Sequence, residues 1–346
     1  MNLALRFGLS LVVAALIIYL LLLWSGAEPA TIAARLTSLS ARDFWVSSGV
    51  LLLIYGLRGA RFRVLLSNNP DCQIPGFGMI TSVTAAHGLA AYFVPAKLGE
   101  AALVMYLRRY LRVPGAEGLA LLVVSRLHDL AAVAGSLSVA CILLGSLGAY
   151  PELDWLLPLG FLLAVLTAAF IWASSNGDRL FALVTGVMRI LRLDRTAIGA
   201  KVMGIATKLQ AALQRVKRGT LWKSAALSIP IWLGVYLYYG VLARGYGLQD
   251  ISFSETIFGA SLAVLANLLP INGFAGFGTQ DAGWVVGFTS LGADREIATE
   301  SALAFHAVYI FHICLFGLIG HLSLVARGPA AKGENEDSAT QDQQAG

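Results

Sequence analysis

Five stretches of this chain, Phe7 to Trp24, Leu130 to Pro151, Trp155 to Gly177, Ser224 to Ala243 and Ser301 to Ala326, contain no Asp, Glu, Lys or Arg. Each is long enough to cross the roughly 30 Å hydrocarbon core of a bilayer as a helix. No water reaches the backbone in that core, so a spanning segment must close its own hydrogen bonds, and a run of this length does so as an α-helix. A sixth span, Phe44 to Leu57, is expected if Arg58, Arg61 and Arg63 snorkel at its end. Composition agrees: 57% of the residues are hydrophobic and 13% are charged, against roughly 25% charged in a soluble domain. The chain reads as an integral membrane protein, with no nucleic-acid partner expected. The first span reads as an uncleaved anchor, because its apolar stretch is longer than a typical signal-peptide core. Cys72, Cys141 and Cys314 are widely spaced, which implies neither a disulfide framework nor a metal site.

The Lys/Arg distribution sets the expected orientation. Asp178 to Arg218 carries nine basic residues against two acidic ones, which places it in the cytoplasm. Gly148 to Asp154 and Gly292 to Glu300 hold one base, Arg295, between them and are expected outside, so both termini face the cytoplasm. Two apolar segments must then return to the side they came from. They are Cys72 to Ala96 with Ala101 to Leu107, and Thr256 to Gln280 with Ala282 to Ala293. Each reads as a re-entrant hairpin, with a proline, Pro95 or Pro270, ahead of its polar stretch. The spans flanking the first hairpin start at Phe44 and Gly118, and those flanking the second at Trp222 and Ile297, the same separation to within one position. The expected fold class is all-α and polytopic, with six full spans and two re-entrant helical hairpins in an inverted-topology repeat. Repeat one covers 44–147, an amphipathic linker on the anionic leaflet 178–221, repeat two 222–326, and a disordered tail 327–346.

Five ionisable residues fall within these apolar surroundings: Lys97, Glu100, Arg126, Asp129 and Asp281. A charge at the bilayer centre costs roughly 2.5 to 3.5 kcal/mol on insertion scales, so all five must face a polar interior. Lys97 and Glu100 are three apart, as are Arg126 and Asp129, the spacing of neighbours on one helix face. Two readings stay open. The charges are structural ion pairs, or Lys97 and Arg126 hold an anionic lipid headgroup. The formal sum of the five is −1, which does not by itself attract a phosphate. Gly276 and Gly278, ahead of Asp281, would let backbone amides approach a ligand at a helix N-terminus, or would merely allow a tight hairpin tip. Among the histidines, which read as interhelical polar contacts, His306 is the best candidate for the site. No metal, catalytic or cofactor pattern is recognisable.

At these residues the chain resembles the lysylphosphatidylglycerol synthase transmembrane-domain family, also called the flippase-like domain family, over residues 5 to 326. The resemblance is carried by Pro95-Ala96-Lys97-Leu98-Gly99-Glu100, Arg126-Leu127-His128-Asp129 and Gly276-Phe277-Gly278-Thr279-Gln280-Asp281. The chain departs from the family pattern with Lys97 for an arginine, Asp281 for a glutamate, and His306 where an arginine is common. The resemblance implies an inner-membrane protein that moves a phospholipid or lipid-linked precursor between leaflets, with no synthetase activity. Its expected partners are the lipid substrate, anionic membrane lipids and a lipid-synthesising enzyme. The alternative is a membrane-embedded enzyme or accessory subunit in glycolipid or polyprenyl-lipid synthesis.

Overall fold

A computed structural model of the chain describes residues 3–67, 74–94, 98–148, 150–174, 177–190 and, after scattered positions up to 210, residues 217–268 and 274–328. Pro95, Lys97, Pro270 and the tail beyond 328 lie outside the described residues. Among those described, every regular element is a helix. The order is α1 (Leu3–Ser25), α2 (Pro29–Thr37), α3 (Ala41–Leu66), α4 (Phe77–Phe93), α5 (Ala101–Leu111), α6 (Gly115–Leu147), α7 (Leu156–Ser174) and α8 (Gly177–Ile190), followed by α9 (Arg218–Gly245), α10 (Phe253–Leu268), α11 (Thr279–Ser290) and α12 (Arg295–Arg327).

Among the described residues, four helices are long and apolar enough to cross a membrane: α6, α7 with the turn before it, α9 and α12. A fifth crossing is available if α1 and α2, bent by 97° at Gly26 to Glu28, act as one broken span. Their outward faces carry the side chains lipid would cover, such as Phe161, Leu162, Val165 and Leu166 on α7. The protein is therefore a multi-pass membrane protein.

The chain breaks where its chemistry says it should. Val94, the residue before Pro95, leaves the helical region (φ −81°, ψ 117°) and ends α4, because a proline ring crowds an α conformation at the preceding residue. The helix α10 ends at Leu268, just ahead of Pro270. Ser40 caps α3 by accepting from the Asp43 amide, and Asp294 caps α12 by accepting from Glu296 and Ile297. A Cβ at Gly99 would overlap the Ala90 carbonyl, so only glycine lets the chain after the first break press back against α4.

Two runs of four helices share one plan. In the first, α3, α4, α5 and α6 have 26, 17, 11 and 33 residues. In the second, α9, α10, α11 and α12 have 28, 16, 12 and 33. Their packing is reciprocal: α3 lies on α9, α4 on α12, and α10 on α6. The core between them is aromatic, with the Phe305 ring 4.6 Å from the Tyr239 ring and 4.6 Å from that of Trp284.

One expectation is overturned by α3. Arg61 does not snorkel to an interface; it is 2% exposed and turned into the bundle. The helix continues unbroken to Leu66, and its buried stripe of Leu51, Ile54, Tyr55, Phe62 and Leu65 has the helical phase that carries Arg61 inward.

Candidate functional site: two polar clusters

The first cluster joins α3, α4, α6 and α9 around two guanidinium–carboxylate pairs. Arg61 grips Asp129 with both terminal nitrogens, at 2.6 and 3.2 Å, and donates a further bond to Ser228 Oγ at 2.9 Å. Trp232 Nε1 adds a donor to Asp129 at 3.2 Å, and Arg126 Nη1 a long one at 3.4 Å. Asp129, 6% exposed, is thereby saturated with donors, which is what a buried charge requires.

Arg126 has a different principal partner. Its Nη2 lies 2.8 and 2.6 Å from the two Glu100 oxygens, and its Nε donates to Glu100 at 3.2 Å. This fork ties α6 to the short turn Leu98–Glu100 after the first break. The Arg126 side chain is 44% exposed and that of Glu100 28%, so this pair, unlike Arg61 and Asp129, is partly open. His87 Nε2 sits 3.3 Å from Glu100, off the direction of a hydrogen bond. Asp129 and Arg126, three apart in sequence, are thus chiefly paired with Arg61 and Glu100. Lys97 lies outside the described residues.

The second cluster forms where α11 meets α12. His306 Nδ1 is 2.7 Å from Asp281 Oδ1, and both residues are almost wholly buried. His306 Nε2 lies 2.9 Å from the Ala275 carbonyl and 2.9 Å from the Tyr92 hydroxyl. A carbonyl only accepts, so Nε2 carries a proton. The remaining proton is shared between Nδ1 and Asp281, and the pair is neutral overall. Asp281 Oδ2 accepts from the Gly278 amide at 2.8 Å, which caps the first turn of α11 from within. Gly278 has φ +79°, and a Cβ there would press on Ile17 at 2.8 Å. Gln280 Oε1 gathers Tyr92 and Asn267, each at 3.2 Å, while Phe277 stacks on His306 at 4.0 Å. The Gly278 amide is thus already occupied by the chain's own carboxylate, and α1 covers the tip. Gly276, also at φ +79°, faces Gln280, Tyr92 and Asn267.

No hydrogen bond or ion pair among the described residues joins the two clusters. His312 and His321 make the interhelical contacts expected of them, His312 with Ser48 and Tyr238 and His321 with Tyr106, and His128 meets Ser224. Sequence reasoning sent Arg58 and Arg61 to the interface, read His87 only as an interhelical contact and did not single out Tyr92. The signal for Arg61 was its helical phase, and the formal sum of −1 changes with it. Asp281 is neutralised by His306, and Arg58 and Arg61 join the interior, leaving three guanidinium groups against two carboxylates among the described residues.

Broken helices, crossing helices and an interior lined with paired charges define a multi-pass membrane domain with a polar core. Residues 8–317 match the lysylphosphatidylglycerol synthase TM region family, and the chain belongs to it. That family ties the domain to lipid-related functions. No curated protein matches the chain.

Proposed function

We propose that this protein moves an amphipathic lipid between leaflets, its headgroup passing by Arg126 and Glu100 while its acyl chains stay in the bilayer. The observation that carries the reading is the exposure of Arg126. An arginine cannot shed its charge, so at membrane depth it persists only if paired or solvated. Arg126 is held by Glu100 from the turn after the first break, and its side chain is 44% exposed. An exposed ion pair binds its own partner weakly, and a headgroup phosphate can take the place of Glu100 on the same fork.

The architecture suited to this is an inverted repeat of 44–147 and 222–326, with six spans, two re-entrant hairpins and cytoplasmic termini. Reciprocal packing of α4 on α12 and α10 on α6 supports it. Two like units meeting head to tail give two alternating openings from one interface. No chemical step is required of the protein in this reading.

The direct test is reconstitution in liposomes with a fluorescent phosphatidylglycerol. Glu100→Gln with Arg126→Gln should fold and lose transport; wild-type rates in that variant would end the proposal. Cysteines at Ser146 and Ser290, in a chain without native cysteines, should be labelled from outside. Labelling from the cytoplasm would reverse the orientation.

A further inference from the structure

The helix α8 carries more apolar surface than the protein itself covers. It follows directly on the crossing helix α7, so its first turn lies where α7 leaves the bilayer. Trp172, in the last turn of α7, is exposed, as an aromatic side chain at a membrane surface is. Arg179, in the first turn of α8, sets its guanidinium 4.1 Å above that ring. This cation–π contact holds the start of α8 at the level of the interface. One face of α8 is spent on the chain that follows it. Met188 is buried with its methyl group against Gly199, and near the start of the helix Asp178 accepts from Gln210 Nε2 at 2.7 Å. The connector thus meets α8 at both ends, in antiparallel order.

A second apolar stripe stays open on another face. Leu183, Val187 and Ile190, spaced four and three apart, are 43%, 46% and 80% exposed. Arg179 heads this stripe, four residues before Leu183, and the exposed Arg189, Arg192 and Arg195 stand at its far end. Residues 178–218 as a whole hold nine basic residues against two acidic ones. An apolar stripe with arginines at both ends, at the point where a crossing helix leaves the bilayer, matches an anionic lipid surface in shape and in sign. We propose that α8 lies in the headgroup layer of the leaflet where α7 ends, with Leu183, Val187 and Ile190 among the upper acyl chains and the arginines on anionic headgroups. The connector between the two four-helix runs is thereby pinned to the membrane, and its hold varies with the content of anionic lipid in that leaflet. The partner is a charged surface rather than a transported molecule, so the inference stands apart from the translocase reading.

The experiment uses the full-length chain with its native cysteines replaced and a single cysteine introduced as Val187→Cys or Ile190→Cys. Each carries an environment-sensitive fluorophore and is reconstituted in phosphatidylcholine vesicles with or without phosphatidylglycerol. Two quenchers are compared, nitroxide-bearing lipids and iodide supplied on both sides of the membrane. With phosphatidylglycerol present, the nitroxide lipids should quench both labels and iodide should lose access to them. Raising the salt on both sides should return the labels toward water, because the attraction is screened. Arg189→Gln with Arg192→Gln and Arg195→Gln should abolish the shielding that phosphatidylglycerol adds. Labels open to iodide in both kinds of vesicle, or equally shielded with and without phosphatidylglycerol, would overturn the proposal. Shielding that disappears as the protein is diluted among the vesicles would also overturn it, since a second copy of the chain would then be what covers the stripe.

Discussion

Arg126 and His306 occupy matching places. Each stands eleven residues after the start of a 33-residue helix, 115 to 126 in α6 and 295 to 306 in α12. Each reaches an acid that follows a break one helix earlier, Glu100 in the turn before α5 and Asp281 in the first turn of α11. The outcomes differ sharply. The arginine pair is charged and half open, while the histidine pair is neutral overall and sealed beneath Phe277 and α1. The reason lies in the side chains. A guanidinium keeps its charge in any surroundings, so it must stay paired and near water. An imidazole and a carboxylate can share one proton and be buried together with little charge to desolvate. One half of the molecule thus has a charged, partly exposed pair, and the other a buried pair that ties the first turn of α11 to α12.

The comparison breaks first at Asp281. Asp281→Ala strands the buried His306 and the Gly278 amide, and should destabilise the protein by about 3 to 5 kcal/mol, read as a fall in the unfolding midpoint. A small change there would mean that the second cluster is not sealed. A similar loss is expected for Asp129→Ala, which leaves Arg61 buried and unpaired. The apolar double replacement Arg61→Met with Asp129→Leu should recover most of it. Failure of that rescue would give the pair a role beyond filling the space between α3, α6 and α9.

Glu100→Gln with Arg126→Gln should cost only about 0 to 1 kcal/mol, because the pair is partly exposed, while transport falls to background. Large destabilisation with transport intact would reverse the assignment of the two clusters. The smallest effect is expected of Tyr92→Phe, which removes the hydroxyl between His306 and Gln280. It should lower stability by about 1 kcal/mol and leave phosphatidylglycerol transport unchanged.

The sequence carried the breaks of α4 and α10 through Pro95 and Pro270, and the four long apolar helices through their uncharged runs. It also pointed to acid and base between helices at Glu100, Arg126, Asp129 and Asp281. What it did not carry was who pairs with whom. Arg126 and Asp129 are neighbours along one helix face, and spacing alone weds them, but a guanidinium is long enough to choose a partner across the bundle. Arg61 escaped because charges at the end of an apolar run usually reach for water, and only its register against Leu51, Ile54 and Leu65 says otherwise. His87 reads as an interhelical contact without saying to what, and Tyr92 sits among apolar residues of α4 and announces nothing until α12 is brought beside it.

The place where α1 rests has a consequence for how the chain is made. Ala14 and Ile17 of α1 lie against Gly278, at the tip before α11, so α1 finds its seat only after the chain as far as α11 has been made. Until then its inward face must be covered by lipid or by an insertion factor. Docking of α1 is therefore a late event in assembly, and a long-range one of the kind that slows folding. A bulky side chain at Gly278 should leave α2 to α12 assembled and α1 adrift. A protease site placed between α1 and α2 would then be cut in that variant and spared in the wild type.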